Sequence, residues 1–294
     1  MNIMEKRGFI ILTALLCPFT ASPANAHDIA AVLSSDSPYY LEAFSGFQDA
    51  IGYPVKPVNM QKAPAPTSAA EKVVVAFGGK AAAWEYQTGA SVVSCLAPTM
   101  KLRQSDSGRY YYVSMATRPG LLFSKLKFIQ PALKRLAVFW TSEATGDYLR
   151  QMRKEAVSWD IILTDVRLKF ADELPERLRD MQGKTDAILF PPDPLLVTVQ
   201  NFGTVRDFSA QYHVPFYVPT EALVERGATA SVSSSFNSMG RCAARMAARL
   251  LKGETEEQFV YPDEVRLAVN LTAAGCAGLK ITPEMIKHAD KVFP

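Results

Sequence analysis

Serine, threonine, aspartate, glutamate and glycine recur just after apolar runs along this chain, in a pattern suited to holding a small polar molecule. Ser34, Ser35 and Asp36 follow the run 29–33, and Tyr39 comes next, in the first turn of an expected helix. Phe77 closes the run 73–77 and leads into Gly78 and Gly79. Thr141, Ser142, Glu143 and Thr145 follow 136–140, Asp193 stands among prolines after 187–190, and Thr220 and Glu221 follow 214–218. A helix N-terminus presents free N–H groups and a positive dipole end to an anion. Glycine lets the backbone approach a ligand closely, and a carboxylate accepts from an ammonium group. Each of these residues alone is a turn or cap residue. Several converging are what a small polar ligand requires. The expected ligand contacts are therefore Ser34, Ser35, Asp36, Tyr39, Phe77, Gly78, Gly79, Thr141, Ser142, Thr145, Asp193, Thr220 and Glu221.

Catalysis finds little footing. His27, His213 and His288 are scattered, and the serine run 231–235 has no nearby base. No G-x-S-x-G elbow, H-E-x-x-H pair or P-loop occurs, and the cysteines form no C-x-x-C, so no catalytic residue, metal or cofactor is expected. Tyr40, Tyr111, Tyr112, Trp140 and Tyr148 stand near the expected cleft, available to stack on a planar ligand but in the main suited to packing, as are Trp84 and Trp159.

The elements that position these residues alternate. Apolar strands are expected at 29–33, 55–60, 73–77 and 90–96, with helices at 38–51 and 80–87 and a Pro-Ala loop at 61–70. After a strand at 109–116 the alternation restarts. Helices at 121–133, 145–157 and 172–181 are interleaved with strands at 136–140 and 161–166. The stretch 186–221 is the clearest unit: a buried strand, a turn forced by Pro191, Pro192 and Pro194, an apolar helical pattern from Leu195 to Phe208, and a second strand. Open parallel sheets bind ligands beyond their strands' carboxyl ends. Past it come a strand at 227–233, a helix at 237–251, a strand at 265–270 and helices at 272–278 and 283–292. Two such series give an α/β fold of two Rossmann-like lobes with parallel sheets, hinged around a central cleft.

The first 26 residues read as a signal peptide. Lys6 and Arg7 precede an apolar segment too short to span a bilayer, and Ala24-Asn25-Ala26 is an A-x-A cleavage site. The mature chain is expected in the periplasm without membrane insertion. Removing Lys6, Arg7 and Glu5 takes the net charge from +3 to +2, so no basic stripe speaks for nucleic acid. Cys95, Cys242 and Cys276 remain, allowing one disulfide at most, with buried free thiols expected for at least two.

The segments DAILFPPDPLLVT, HVPFYVPTEALVERGATASVSSSFNSMGRCAARMAARLLKGE and VRLAVNLTAAGCAGLKITP resemble the C-terminal half of the "ABC transporter substrate-binding" family. This family is related to tryptophan-binding and other type I periplasmic binding proteins. Asn270, Leu271, Ala274, Gly278, Leu279 and Ile281 stand where the family's closing motif has its marker residues. The loop at Cys95, Leu96, Ala97, Pro98 and Thr99 lacks the family's glycines, and Thr141 to Ala144 replaces an Asn-Pro-like loop. The resemblance implies a periplasmic solute-binding protein that captures an amino-acid-like solute or small organic acid for an ABC importer, with a membrane permease or receptor as partner. A sensory or accessory binding protein working with a receptor kinase or outer-membrane uptake system is the alternative. The lobes are expected at 27–118 plus 235–258 and at 119–234 plus 259–294.

Overall fold

The computed structural model describes residues 28–65, 71–86, 89–97, 109–254 and 257–294. Residues 1–26, where a signal peptide is expected, together with His27, Gln87, Pro98, Thr99 and part of the Pro-Ala loop, lie outside the described residues. The first lobe begins with β1 (Ile29–Leu33), α1 (Pro38–Ile51), β2 (Pro57–Asn59), β3 (Val73–Phe77), α2 (Gly79–Ala83), β4 (Ser91–Cys95) and β5 (Tyr110–Val113). The second follows with α3 (Pro119–Ile129), β6 (Arg135–Trp140), α4 (Glu143–Ser158), β7 (Ile162–Arg167), α5 (Leu174–Arg179), β8 (Ala187–Leu189), α6 (Val199–Tyr212), β9 (Phe216–Val218), α7 (Glu221–Glu225) and β10 (Ala230–Ser233). The chain then returns to the first lobe for α8 (Phe236–Leu251) and β11 (Phe259–Val260). It ends in the second with β12 (Arg266–Asn270), α9 (Leu271–Cys276), α10 (Pro283–His288) and β13 (Lys291–Phe293).

Two sheets result, ordered β11-β5-β4-β3-β1-β2 and β13-β12-β10-β9-β8-β6-β7. Their inner strands β1, β3, β8 and β9 are short, apolar and buried on both faces, as parallel strands covered by helices must be. Every pairing is parallel except β10 with β12. The two-lobed α/β expectation holds, and the departures are local. Phe259 and Val260 fall in the second lobe by the expected division, yet they pair with Tyr112 and Val113 at the edge of the first sheet. The helix expected to reach Val292 stops at His288. Asp290 accepts from the Leu267 N–H (2.8 Å), and residues 291–293 pair with β12 instead. Leu195 is exposed rather than helical, because the N–H groups of Leu195, Leu196 and Val197 are taken up by Asp193 and α6 starts only after its Thr198 cap. Cys95 and Cys242 are buried free thiols and Cys276 is an exposed one.

The chain crosses between lobes at 114–118, 234–235 and 261–265, and three hydrogen bonds tie these crossings to one another or to the strands that lead into them. The Thr117 hydroxyl donates to the Val232 carbonyl (2.7 Å), the Ser114 N–H to the Val260 carbonyl (2.8 Å), and the Ser234 hydroxyl to the Glu264 carbonyl (2.6 Å). The return through α8 is held by backbone contact. Arg241, Arg245 and Arg249 put α8's charge on one exposed face, leaving Gly240, Ala243, Ala244 and Ala247 to meet α1. A methyl group on Gly240 would lie 1.7 Å from the Ala43 carbonyl oxygen, and one on Gly46 would lie 2.0 Å from that of Asn237. Gly203 in α6 has open space in the same position. Gly240→Ala is expected to lower unfolding stability by about 3 kcal/mol through overpacking. Gly203→Ala should raise it by ~0.5–1 kcal/mol by restoring helix propensity, and denaturant titration of both variants measures the contrast.

Candidate ligand-binding site

A cavity of about 610 Å³ lies between the lobes. Its first-lobe wall comes from the start of α1 (Tyr39, Tyr40, Glu42), from Leu96 and from the start of α8 (Phe236). Tyr39 and Phe236 pack ring on ring at 5.1 Å. The second-lobe wall is made by the turns after β8 and β9, by α7 and by Arg266 at the start of β12. Arg266 pairs with Glu221 at 3.3 Å, and Glu42 accepts from the Asn237 N–H at 3.3 Å. Arg226, exposed at the end of α7, has no ion-pair partner among the described residues.

A smaller cavity of about 160 Å³ continues the cleft toward the other edge of the sheets. Met115, in the first crossing, and Pro192 line both spaces and divide them. Ser94, Tyr112 and Phe259 bound the smaller one from the first lobe, and Thr145, Tyr148 and Gln151 of α4 bound it from the second. The Tyr148 hydroxyl donates to the Thr117 carbonyl (2.7 Å), and burial followed by its neighbour Tyr261 keeps it protonated well above the ordinary range.

Behind the second-lobe wall Asp193 is fully buried. Its Oδ2 accepts from the N–H groups of Thr141 and Ser142, both at 2.8 Å, and from the Thr145 hydroxyl at 3.2 Å. Its Oδ1 accepts from the Thr141 hydroxyl at 2.9 Å and the Leu195 N–H at 3.2 Å. Burial pushes the carboxyl up, but the Ser142 and Thr141 amides, the Thr141 hydroxyl and the Leu195 amide outweigh it and hold Asp193 below the ordinary carboxylate range.

Of the residues singled out in the sequence, Tyr39, Tyr40, Asp193, Thr220 and Glu221 line the larger cavity and Tyr112, Thr145 and Tyr148 the smaller. The other expected ligand contacts line neither. Phe77 is fully buried against Phe44 and Phe47. The Ser34 hydroxyl accepts from the Ala81 N–H (2.9 Å), and Ser35 caps the Ser37 amide (3.2 Å). Asp36 pairs with Lys62 at 2.8 Å and accepts from Asn59. Gly78, at φ 94, leaves room for the Tyr40 ring, and Gly79 opens α2 beside it. Thr141 and Ser142 are engaged with Asp193. Glu42, Arg226, Arg266, Ser94 and Gln151 carried no sequence signal, because each sits inside an element or at its end with nothing local to mark it. No group of three or more metal-ligating side chains gathers among the described residues.

The profile of the ABC transporter substrate binding protein family matches residues 123–293. The chain belongs to that family. Its members are solute-binding proteins, and solved structures with the same two-lobed fold span almost the whole chain. An ABC domain from Streptococcus pneumoniae in complex with L-Trp is 18% identical, with a TM-score of 0.63 over 90% of this chain and 100% of that one. A conserved domain protein from Vibrio cholerae is 15% identical, with a TM-score of 0.63 over 91% and 100%. The ligand-free, open structure of a substrate binding protein with adhesive properties from Clostridium difficile is 15% identical, with a TM-score of 0.64 over 90% and 98%. No curated protein matches the chain in sequence. Among the described residues, no helix of this family member is long and apolar enough to cross a membrane.

The Asp193 contacts generate a pH prediction. A depressed folded-state pKa lends stability that is complete above the unfolded value near ~3.9 and is lost as pH falls through the folded value. Asp193→Asn should cost about 3 kcal/mol at neutral pH. The gap in thermal midpoint between wild type and variant should then shrink as pH falls from about 5 to 2, which calorimetry at stepped pH measures.

Proposed function

We propose that this protein captures a small polar solute, amino-acid-like or a small organic acid, between its lobes in the periplasm and delivers it to an ABC importer. The observation that carries this reading is the charge layout of the larger cavity. Arg226, a cation with no ion-pair partner among the described residues, stands on the second-lobe wall, and Glu42 stands on the first-lobe wall. A guanidinium offers a carboxylate two parallel donors, and Glu42 offers an acceptor to an ammonium group. Thr220 adds a hydroxyl, the Arg266–Glu221 pair a charged rim, and Tyr39, Tyr40 and Phe236 apolar surface for the body of the solute. Ligand atoms reaching both walls favour the closed arrangement, so the solute itself biases the hinge. The basic, apolar and A-x-A succession of residues 1–26 supports export, and the family's transporter membership supports a membrane permease as partner.

Isothermal titration of the mature chain with the proteinogenic amino acids and small mono- and dicarboxylates tests the reading. At least one should bind, Arg226→Ala should weaken it by roughly 10- to 100-fold, and the complex should be more compact in X-ray scattering. Heat from none of these solutes would defeat the proposal.

A further inference from the structure

The smaller cavity holds a polar group that the fold leaves unanswered. Ser94 lies in β4, whose sequence SVVSC is otherwise built for burial, and it pairs in register with Tyr112 of β5. The residue is 2% exposed, and its Oγ has no hydrogen-bond partner among the described residues although the residue lines the cavity. A buried hydroxyl without a partner is destabilising, and alanine or valine would suit an apolar strand better. Three neighbouring hydroxyls are committed to protein acceptors. Ser114 donates to the Ala116 carbonyl (3.0 Å), Thr145 to Asp193 (3.2 Å) and Tyr148 to Thr117 (2.7 Å). At the mouth, Gln151 accepts the Tyr261 hydroxyl on its Oε1 (2.7 Å), which assigns its oxygen to Tyr261 and leaves its NH2 group as a donor.

Charge is balanced in this space. Its one carboxylate, Asp147, is paired with Arg150 on the next turn of α4. Tyr112, Tyr148 and Phe259 supply aromatic walls, and the volume of about 160 Å³ far exceeds that of a single water. We propose that this cavity is a subsite for an uncharged hydrogen-bonding group on the solute, a carboxamide or hydroxyl, and that Ser94 selects it. This rests on the reading above: the charged head of the solute lies in the larger cavity, and its side chain passes Met115 and Pro192 to reach Ser94.

Matched solutes that differ only in the terminal group test the proposal. Titration of the full mature chain with L-glutamine against L-norleucine, and with L-tyrosine against L-phenylalanine, should show the polar member of at least one pair binding roughly tenfold more tightly. In Ser94→Ala that preference should fall below about twofold with affinity for the apolar member unchanged, while the thermal midpoint of the ligand-free protein stays level or rises. Where the solutes bind, three results would overturn the subsite: a preference unchanged in Ser94→Ala, a wild type favouring the apolar members, or a lowered ligand-free midpoint with equal loss for both members. The last would make Ser94 a structural residue. In each of these cases solute binding that depends on Arg226 leaves the capture reading standing. Absence of heat with all four solutes removes the subsite and leaves capture to the wider solute panel.

Discussion

One buried carboxylate organises the second-lobe side of the cleft. Asp193 follows β8 in a turn that prolines keep out of both helix and strand, and it reaches across to the turn after β6. Taking a carboxylate out of water costs several kcal/mol unless its lone pairs are answered. Three backbone amides and two hydroxyls answer them here. The turns after β6 and β8 are thereby held in one geometry, and the start of α4 is pinned through Thr145. Pro192, next to Asp193, is fixed as the divider between the two cavities. The division of the cleft is a consequence of this anchor.

The first-lobe wall depends on a different constraint, the close approach of two helices. Gly46 and Gly240 remove the side chains that would hold α1 and α8 apart, so backbone lies on backbone. The starts of both helices then converge on the cleft, where Tyr39 meets Phe236 and Glu42 meets the Asn237 amide. Because α8 is separated in sequence from the rest of its lobe, this packing forces the chain to cross between lobes three times. Each crossing is bonded to another or to the strand that leads into it, so the three connections between the lobes form one tied group.

Much of this fold was legible because its strands are continuous apolar runs and its helices have amphipathic spacing, properties set by a residue's own neighbours. Elements that exist only by pairing were not legible. Phe259 and Val260 form a strand because Tyr112 and Val113 offer an open edge, and Lys291 to Phe293 leave the helical pattern because β12 does the same. The candidate site divides along the same line. Polar residues after strand ends were visible, but whether each faces the cleft or the protein is decided by distant partners. Asp36 looks to Lys62, Ser34 to Ala81, and Asp193 to Thr141 and Ser142. Glu42, Arg226 and Arg266 owe their place in the cavity to how the lobes meet, which no local pattern encodes.

A cleft divided in this way separates two problems that one undivided pocket would have to solve together. Charged groups gain most from the larger space, where Arg226 and Glu42 remain partly hydrated and need not be desolvated before a solute arrives. Discrimination among uncharged groups needs the opposite, a buried site in which an unmet hydrogen bond is expensive on either side. Ser94, almost fully enclosed in a cavity that aromatic rings also line, meets that second requirement and would be a poor anchor for a charge. Met115 and Pro192 line both environments and stand between them. One solute spanning both would draw affinity from the exposed end of the cleft and selectivity from the enclosed end.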